Sequence, residues 1–87
     1  MIPTGRRFVK TTRHFEEQVL RKRAYLRREW CERALRAPNR RETQPDGRVR
    51  FWVFISELNK YLGVVTLADG EAVYNAFPDR GFQEHAP

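Results

Sequence analysis

The spacing of apolar residues along the chain predicts helix first and sheet afterwards. Between Phe15 and Leu35, apolar residues recur every three to five positions and charged residues fill the positions between them. Because that spacing places them on one side of a helix, it predicts one amphipathic helix within about 14–36, or two helices broken near 24–26. The apolar side consists of Phe15, Val19, Leu20, Tyr25 or Leu26, Trp30, Ala34 and Leu35.

The limits of this helical region are marked by polar residues at its start and by proline at its end. Thr11 and Thr12 are candidates for the N-cap, because their hydroxyl groups can accept a hydrogen bond from the first helical turn. Pro38 disfavours helix at the residue before it, so the helix must end there. Before the helix, residues 7–10 contain Phe-Val and predict a short strand.

After residue 40 the spacing changes to the period of two that is typical of strands. Residues 45–47, Pro-Asp-Gly, predict a turn between strands at 42–44 and 48–55. Within the second of these strands the alternating apolar set is Val49, Phe51, Val53 and Ile55, and the other set is Arg48, Arg50, Trp52 and Phe54. The polar residues 57–60 then separate this strand from a dense apolar strand at 61–67.

An Asp-Gly pair at Asp69-Gly70 predicts a tight hairpin between 61–67 and a last strand at 72–77. A two-residue loop would place Thr66 opposite Val73, Val64 opposite Asn75, Leu62 opposite Phe77, and Val65 opposite Tyr74. The sequence therefore predicts an α+β fold with an N-terminal strand and one or two helices, followed by a four-stranded antiparallel meander. We expect one domain over residues 1–87, with an ordered core at about 7–82.

The charge of the chain indicates a polyanionic partner. Seventeen Lys and Arg residues exceed eleven Asp and Glu residues, which gives a net charge of +6, and only three of the cations are lysines. Arginine presents a planar set of donors that matches phosphate and also stacks on nucleobases. A basic surface that only maintains solubility is the alternative interpretation.

The cysteine count excludes a disulfide and a cysteine-based zinc site, because Cys31 is the only cysteine. We expect Cys31 to be a small buried residue of the helix. The sequence also lacks the apolar segment of a signal peptide and any apolar run long enough to span a membrane. We therefore expect a cytoplasmic protein that has no contact with the membrane and needs neither a metal ion nor a cofactor.

Four stretches of the chain resemble the RelE/ParE-like small proteins, which belong to the barnase–EndoU–colicin–RelE superfamily of metal-independent ribonucleases. Within that superfamily, the chain resembles a bacterial branch. These stretches are residues 8–14, the helical run up to Pro38, residues 44–52 and residues 73–80. The resemblance implies a RelE-like fold. The sequence differs from the RelE toxins in lacking their lysine-rich strand, and their C-terminal catalytic tyrosine has no clear counterpart here.

The resemblance also implies cleavage of RNA by attack of the ribose 2′-hydroxyl on its own phosphate. Such chemistry needs a group that transfers a proton near neutral pH and cations that stabilise charge on phosphorus. We expect His14, in the first turn of the helix, to transfer the proton, and Arg50 and Arg80 to hold the phosphate. The alternatives are a surface histidine for His14, a cross-strand pair with Glu42 or a neighbour for Arg50, and an Asp79–Arg80 surface turn for Arg80.

We expect four further residues to bind the substrate: Arg48, Trp52, Tyr74 and Asn75. Arg50 lies between Arg48 and Trp52 on one side of a predicted strand, and alternating cations and aromatic rings suit phosphate contacts and base stacking. Asn75 is a polar residue in an otherwise apolar strand. Its side chain either orients a substrate or satisfies a buried backbone group.

The leading functional hypothesis is a RelE-like ribonuclease toxin that an antitoxin protein holds inactive. Two alternatives stay open. The first is a non-catalytic module of the same fold that binds RNA or a protein, and the second is a ParE-like toxin that acts on a protein target. A clear acid–base pair would separate these classes, and His14 is the only candidate for one of its members.

Overall fold

The computed structural model describes residues 10–82 of the chain. The first helix, α1, consists of the π-helical turn Phe15–Val19 and the turn Leu20–Lys22 that continues it. The remaining elements are helix α2, Arg28–Arg36, and strands β1, Arg40–Thr43, β2, Val49–Ile55, β3, Lys60–Thr66, and β4, Val73–Pro78. The four strands form one antiparallel sheet in the order β1-β2-β3-β4, which confirms the predicted α+β class and meander.

The helical region contains two helices, as one of the two sequence interpretations predicted. The backbone leaves the helical conformation at Arg23, and residues 24–25 form a turn before α2 begins. Thr12 caps α1, because its Oγ1 accepts a hydrogen bond from the Phe15 amide at 3.1 Å. His14 therefore lies in the first helical turn, as predicted, and α2 ends at Arg36, ahead of Pro38.

Segment 10–12, which precedes α1, lies along the free edge of β4. The Val73 amide donates to the Lys10 carbonyl at 2.8 Å, and the Thr12 amide donates to the Val73 carbonyl at 3.0 Å. These two bonds make an isolated parallel bridge between Thr11 and Val73. Apart from Lys10, the predicted strand at 7–10 lies outside the described residues.

Both helices pack against the inner face of the sheet, which is the face that carries Val49, Phe51, Val53 and Ile55 of β2. These side chains are buried, and they alternate with Arg50, Trp52 and Phe54, of which Arg50 is half-buried, Phe54 is exposed and Trp52 is also buried, so the period of two is visible at every neighbour except Trp52. On the helical side the buried residues are Phe15, Val19, Leu26, Trp30, Cys31 and Ala34. Tyr25 is exposed and Leu26 is buried, which decides the alternative left open by the sequence.

The β3–β4 hairpin carries Asp69 and Gly70 at its tip, but its loop is longer than predicted and its register differs. The Leu67 amide donates to the Ala72 carbonyl, and Asp69 Oδ1 accepts from the amides of Glu71 and Ala72. Thr66 pairs with Val73 as predicted, whereas the other partners are Val65 with Asn75, Val64 with Ala76, Gly63 with Phe77 and Leu62 with Pro78. A β-bulge causes this shift because it places one extra residue, Tyr74, in β4.

Candidate nucleic-acid interface

The outer face of the sheet, which points away from both helices, carries aromatic and basic side chains. Because paired residues of an antiparallel sheet point to the same side, the register identifies its members. They are Arg40 and Glu42 of β1, Arg50, Trp52 and Phe54 of β2, Tyr61, Gly63 and Val65 of β3, and Asn75 and Phe77 of β4. No secondary-structure element within residues 10–82 packs across this face.

Tyr74 joins two of the predicted site residues at one end of this face. The His14 ring stacks on the Tyr74 ring, with 4.8 Å between centroids and 20° between planes. The guanidinium carbon of Arg48 lies 4.2 Å from the Tyr74 centroid. The structure thus brings together an imidazole, a phenol and a guanidinium group, and the His14 side chain is exposed to solvent.

Two local features of the fold produce this cluster. The Thr12 cap and the bridge between segment 10–12 and β4 place the first turn of α1 beside the start of β4. The bulge in β4 adds Tyr74 next to Asn75, at the same end of the sheet as Arg48. Arg48 also approaches Asp46, with 3.8 Å between Nη1 and Oδ2, across the turn that precedes β2.

Arg50 lies in the middle of the outer face between two aromatic rings. Its guanidinium carbon is 5.6 Å from the Trp52 centroid and 5.3 Å from the Phe77 centroid. Its Nε is buried without a hydrogen-bond partner. Glu42 is opposite Arg50 in the register, but the Glu42 carboxylate pairs with Arg40 at 3.4 Å, so the predicted alternative of an Arg50–Glu42 pair is not formed.

Gly63 allows the Phe77 ring to lie across β3 on this face. A Cβ added at Gly63 would lie 3.1 Å from Cε1 and 3.3 Å from Cζ of Phe77, closer than side chains normally tolerate. Phe77 therefore depends on the missing side chain of Gly63 for its position under Arg50. Sequence reasoning treated Gly63 only as part of an apolar strand, and nothing in the local pattern indicates this contact.

Trp52 is covered by the chain that follows β4. Its Nε1 donates to Asp79 Oδ2 at 2.9 Å, and its ring stacks on Phe82 with 4.7 Å between centroids and 13° between planes. Phe82 also meets Tyr61 edge to face, and Tyr61 meets Phe54 in the same way. As a result only 6% of Trp52 is exposed although it lies on the outer face.

The Asn75 side chain accepts a hydrogen bond from the backbone, which is one of the two roles that the sequence suggested for it. Its Oδ1 accepts a hydrogen bond from the amide of Ala76 at 2.9 Å, directly after the bulge. The same side chain lies on the outer face opposite Val65, which in turn is opposite Arg50. Asn75 is therefore near the candidate interface, with its amide nitrogen facing away from the bond to Ala76.

Arg80 lies away from the other candidates. It lines a cavity of about 400 Å³ with Tyr25, Leu58, Lys60 and Pro78, near the turn between β2 and β3. Tyr74 and Pro78 are at opposite ends of β4, which corresponds to about 13 Å of extended chain at about 3.3 Å per residue. The structure brings His14 together with Arg48 and Tyr74, and it places Arg80 at the far end of the sheet.

The remaining reactive and ligating groups of the described residues are not arranged as a second site. Cys31 is buried in α2, and burial raises the pKa of its thiol to about 12, so it stays protonated. Within residues 10–82 no three His, Cys, Asp or Glu side chains group so that they could hold a metal ion. In the same part of the chain no helix has the length and apolar character needed to cross a membrane.

Comparison of the chain with protein families, with curated proteins and with solved structures gives no match. The arrangement of side chains on the outer face is therefore the basis for assigning a function.

Proposed function

We propose that this protein binds single-stranded RNA on the outer face of its sheet. The observation that carries the proposal is the pair of arginines, Arg48 and Arg50, each held against aromatic rings of that face. Open sheets with exposed aromatic rings bind single-stranded RNA by stacking its bases, while arginines contact its phosphates.

Arg50 is suited to accept such a ligand. Its buried Nε has no partner among the described residues, and a buried donor without an acceptor is costly. A phosphate oxygen would form a charge-assisted hydrogen bond with the terminal nitrogens of this half-buried guanidinium group, since the Nε itself is closed to solvent. The rings of Trp52 and Phe77 hold the guanidinium group in place, so less side-chain freedom is lost when the phosphate binds.

The salt dependence of RNA binding tests the proposal. A labelled, unstructured single-stranded RNA should bind at low salt, and its affinity should fall steeply with rising salt, because binding releases counterions. Arg48→Ala and Arg50→Ala should each weaken binding and lower the slope of log K against log salt by about 0.7 per phosphate contact.

Arg36→Ala is the matched control for these variants. Arg36 is an exposed residue at the end of α2, so this change removes the same charge from the side of the molecule opposite the interface. If all three variants lose affinity equally, binding depends on net charge alone and the proposed face is wrong. If the protein binds no RNA at low salt, the proposal as a whole is wrong.

A second candidate function is RelE-like cleavage of the bound RNA without a metal ion. It is favoured by the contact of His14 with Tyr74 beside Arg48, because an imidazole and a phosphate-binding cation are the groups that such a reaction needs. In the proposed reaction His14 takes the proton of the 2′-hydroxyl, the 2′-oxygen bonds to phosphorus, and the bond from phosphorus to the 5′-oxygen breaks. Water donates a proton to the leaving 5′-oxygen, His14 returns its proton to solvent, and the products carry a 2′,3′-cyclic phosphate and a 5′-hydroxyl.

The order of two helices followed by an antiparallel meander, which a RelE-like protein is expected to share, supports this candidate, and in the proposal Arg48 takes the role that the sequence suggested for Arg80. His14→Ala should abolish cleavage and leave RNA affinity nearly unchanged, because proton transfer contributes only in the transition state. His85→Ala, at the other histidine of the chain, is the control and should cleave normally. EDTA should have no effect, and normal cleavage by His14→Ala would refute the catalytic role.

A ribonuclease of this kind would act as a toxin in the cytoplasm, held inactive by an antitoxin protein. The proposed interface gives that partner a target, since an acidic segment could cover Arg48 and Arg50 and block RNA. If the protein neither binds nor cleaves RNA, a ParE-like action on a protein target becomes the better hypothesis. Growth arrest on expression, without loss of RNA, would indicate such a target.

A further inference from the structure

The chain after β4 turns back over the outer face of the sheet. The Asp79 amide donates to the Tyr61 carbonyl at 2.8 Å, and the Asp79 carboxylate accepts from Trp52 Nε1 and from the Gly81 amide. This tight turn directs Phe82 onto the Trp52 ring. The last described residue of the chain thus covers the largest aromatic ring of the candidate interface.

The position of Phe82 has the geometry of a bound nucleobase. Its ring is nearly parallel to the Trp52 ring, with 4.7 Å between centroids, and it meets the Tyr61 ring edge to face, with 4.9 Å between centroids. A flat aromatic group stacked on one ring and bordered by another is what a base-binding slot accepts. Arg50 lies against the same Trp52 ring, so a phosphate attached to that base would have a cation within reach.

Phe82 is held much less firmly than the turn that carries it. Apart from its two ring contacts, its described bond is a long one, from its amide to the Asp79 carbonyl at 3.4 Å. Asp79, in contrast, is fixed by bonds to both Trp52 and the Tyr61 backbone. The ring can therefore leave Trp52 by rotation of residues 80–82 while Asp79 and the sheet stay in place.

We propose that the slot formed by Trp52 and Tyr61 is a nucleobase-binding site, and that Phe82 occupies it when no RNA is bound. The inference rests on the proposed RNA-binding function and adds a specific subsite and a means of regulating it. An RNA base must displace Phe82 before it can stack on Trp52, so the chain competes with its own ligand. Binding of RNA is then weaker than the open slot would allow.

Removal of the Phe82 ring tests this competition directly. Phe82→Ala should bind single-stranded oligoadenylate about 3-fold to about 10-fold more tightly, because a stacked aromatic pair contributes about 0.5–1.5 kcal/mol that the base no longer has to overcome. An abasic oligomer with the same number of phosphates should show no such gain, because it has no ring to place in the slot. Phe54→Ala, which removes another exposed ring that contacts Tyr61 but not Trp52, should not increase affinity.

A measurement without RNA checks that the slot opens. Trp30 and Trp52 are both buried in the native protein, so quenching of tryptophan fluorescence by acrylamide should increase in Phe82→Ala through Trp52 alone. Equal oligoadenylate affinity of wild type and Phe82→Ala, with salt-dependent binding intact, would overturn the slot and leave the proposed function standing. An equal gain for the abasic oligomer would also overturn the slot. Absence of binding in both proteins would overturn the slot and the proposed function together.

Discussion

Glu16 provides a quantitative test of how the two helices and the N-terminal segment are held together. Its carboxylate accepts two parallel hydrogen bonds from Arg28 of α2, at 2.6 and 2.5 Å, and a third from the Thr11 hydroxyl at 2.5 Å. One side chain of α1 thus joins α2 and the segment that borders β4. We expect Glu16→Gln to weaken this junction while changing little in shape.

The size of the effect follows from the geometry and from exposure to solvent. Hydrogen bonds to charged groups contribute about 1.5–3 kcal/mol when buried, and exposed ion pairs contribute about 0–1 kcal/mol. The side chains of Glu16 and Arg28 are 34% and 54% exposed, so screening by water reduces the contribution. The bidentate contact and the third bond keep the contribution of Glu16 near the top of the range for exposed ion pairs. We therefore expect Glu16→Gln to lower the free energy of unfolding by about 1 kcal/mol, or Tm by about 4–8 °C.

The stabilisation that the Glu16 carboxylate provides should disappear at low pH. Hydrogen bonding to Arg28, with a smaller contribution from Thr11, lowers the pKa of Glu16 from its ordinary value. Because the folded pKa is below that of the unfolded chain, the stabilisation is complete above the unfolded value of about 4.3. It is lost as the pH falls through the folded pKa, where the carboxylate of the native protein becomes protonated.

Urea denaturation followed by tryptophan fluorescence, at pH 7 and at decreasing pH, measures both effects. Glu17→Gln is the matched control, because among residues 10–82 the Glu17 carboxylate pairs with Arg13, at 3.5 Å between two exposed side chains. The difference in unfolding free energy between wild type and Glu16→Gln should be about 1 kcal/mol at pH 7 and approach zero in acid, where both side chains are neutral. Equal effects of the two substitutions, or a Glu16→Gln difference that persists in acid, would refute the reasoning.

Three further predictions concern the cap, the thiol and the outer face. Thr12→Ala should lower the free energy of unfolding by about 1 kcal/mol through loss of the N-cap bond, whereas Thr12→Ser should retain most of it, as urea denaturation would show. Cys31 should resist thiol reagents in the native protein and react fully in urea, because burial raises its pKa to about 12; rapid native reaction would contradict its burial. Gly63→Val should cost about 1–3 kcal/mol, since the new side chain meets the Phe77 ring; thermal unfolding at an unchanged temperature would show that the ring moves aside freely.

The parts of the fold that were predictable are those that burial on one face dictates. Phe15 and Val19 must share one side of α1 to reach the core, Trp30 and Ala34 must share one side of α2, and the apolar set of β2 must alternate. Both patterns are visible in the sequence because solvent exposure follows the backbone period. The N-cap at Thr12 was likewise visible, because it depends on a local hydrogen bond.

The parts that were missed depend on contacts between distant residues. The bulge that shifts the β4 register and turns Tyr74 towards Arg48 follows from packing across three elements, not from the residues around Tyr74. Phe82 stacks on Trp52 because a turn at Asp79, which is hydrogen-bonded to Trp52, directs the Phe82 ring onto it. Arg80 was assigned to the site from its place after a strand, and only the three-dimensional fold shows that this strand end is remote from His14.

The bridge between Thr11 and Val73 has a consequence for the order in which the molecule folds. The β hairpins join strands that are adjacent in the chain, so they can form early, whereas the segment that leads into α1 pairs with the distant strand β4. Because Thr11 and Val73 are far apart in the sequence, closing the loop between them is entropically costly, and the bridge forms only after the sheet has formed. During synthesis the first helix must wait for the last strand to emerge, and interactions around Thr12 should be absent from the transition state. The Thr12 cap is local, but so short a helix is marginal until it docks on the sheet, so Thr12→Ala should speed unfolding and leave the refolding rate nearly unchanged in stopped-flow measurements.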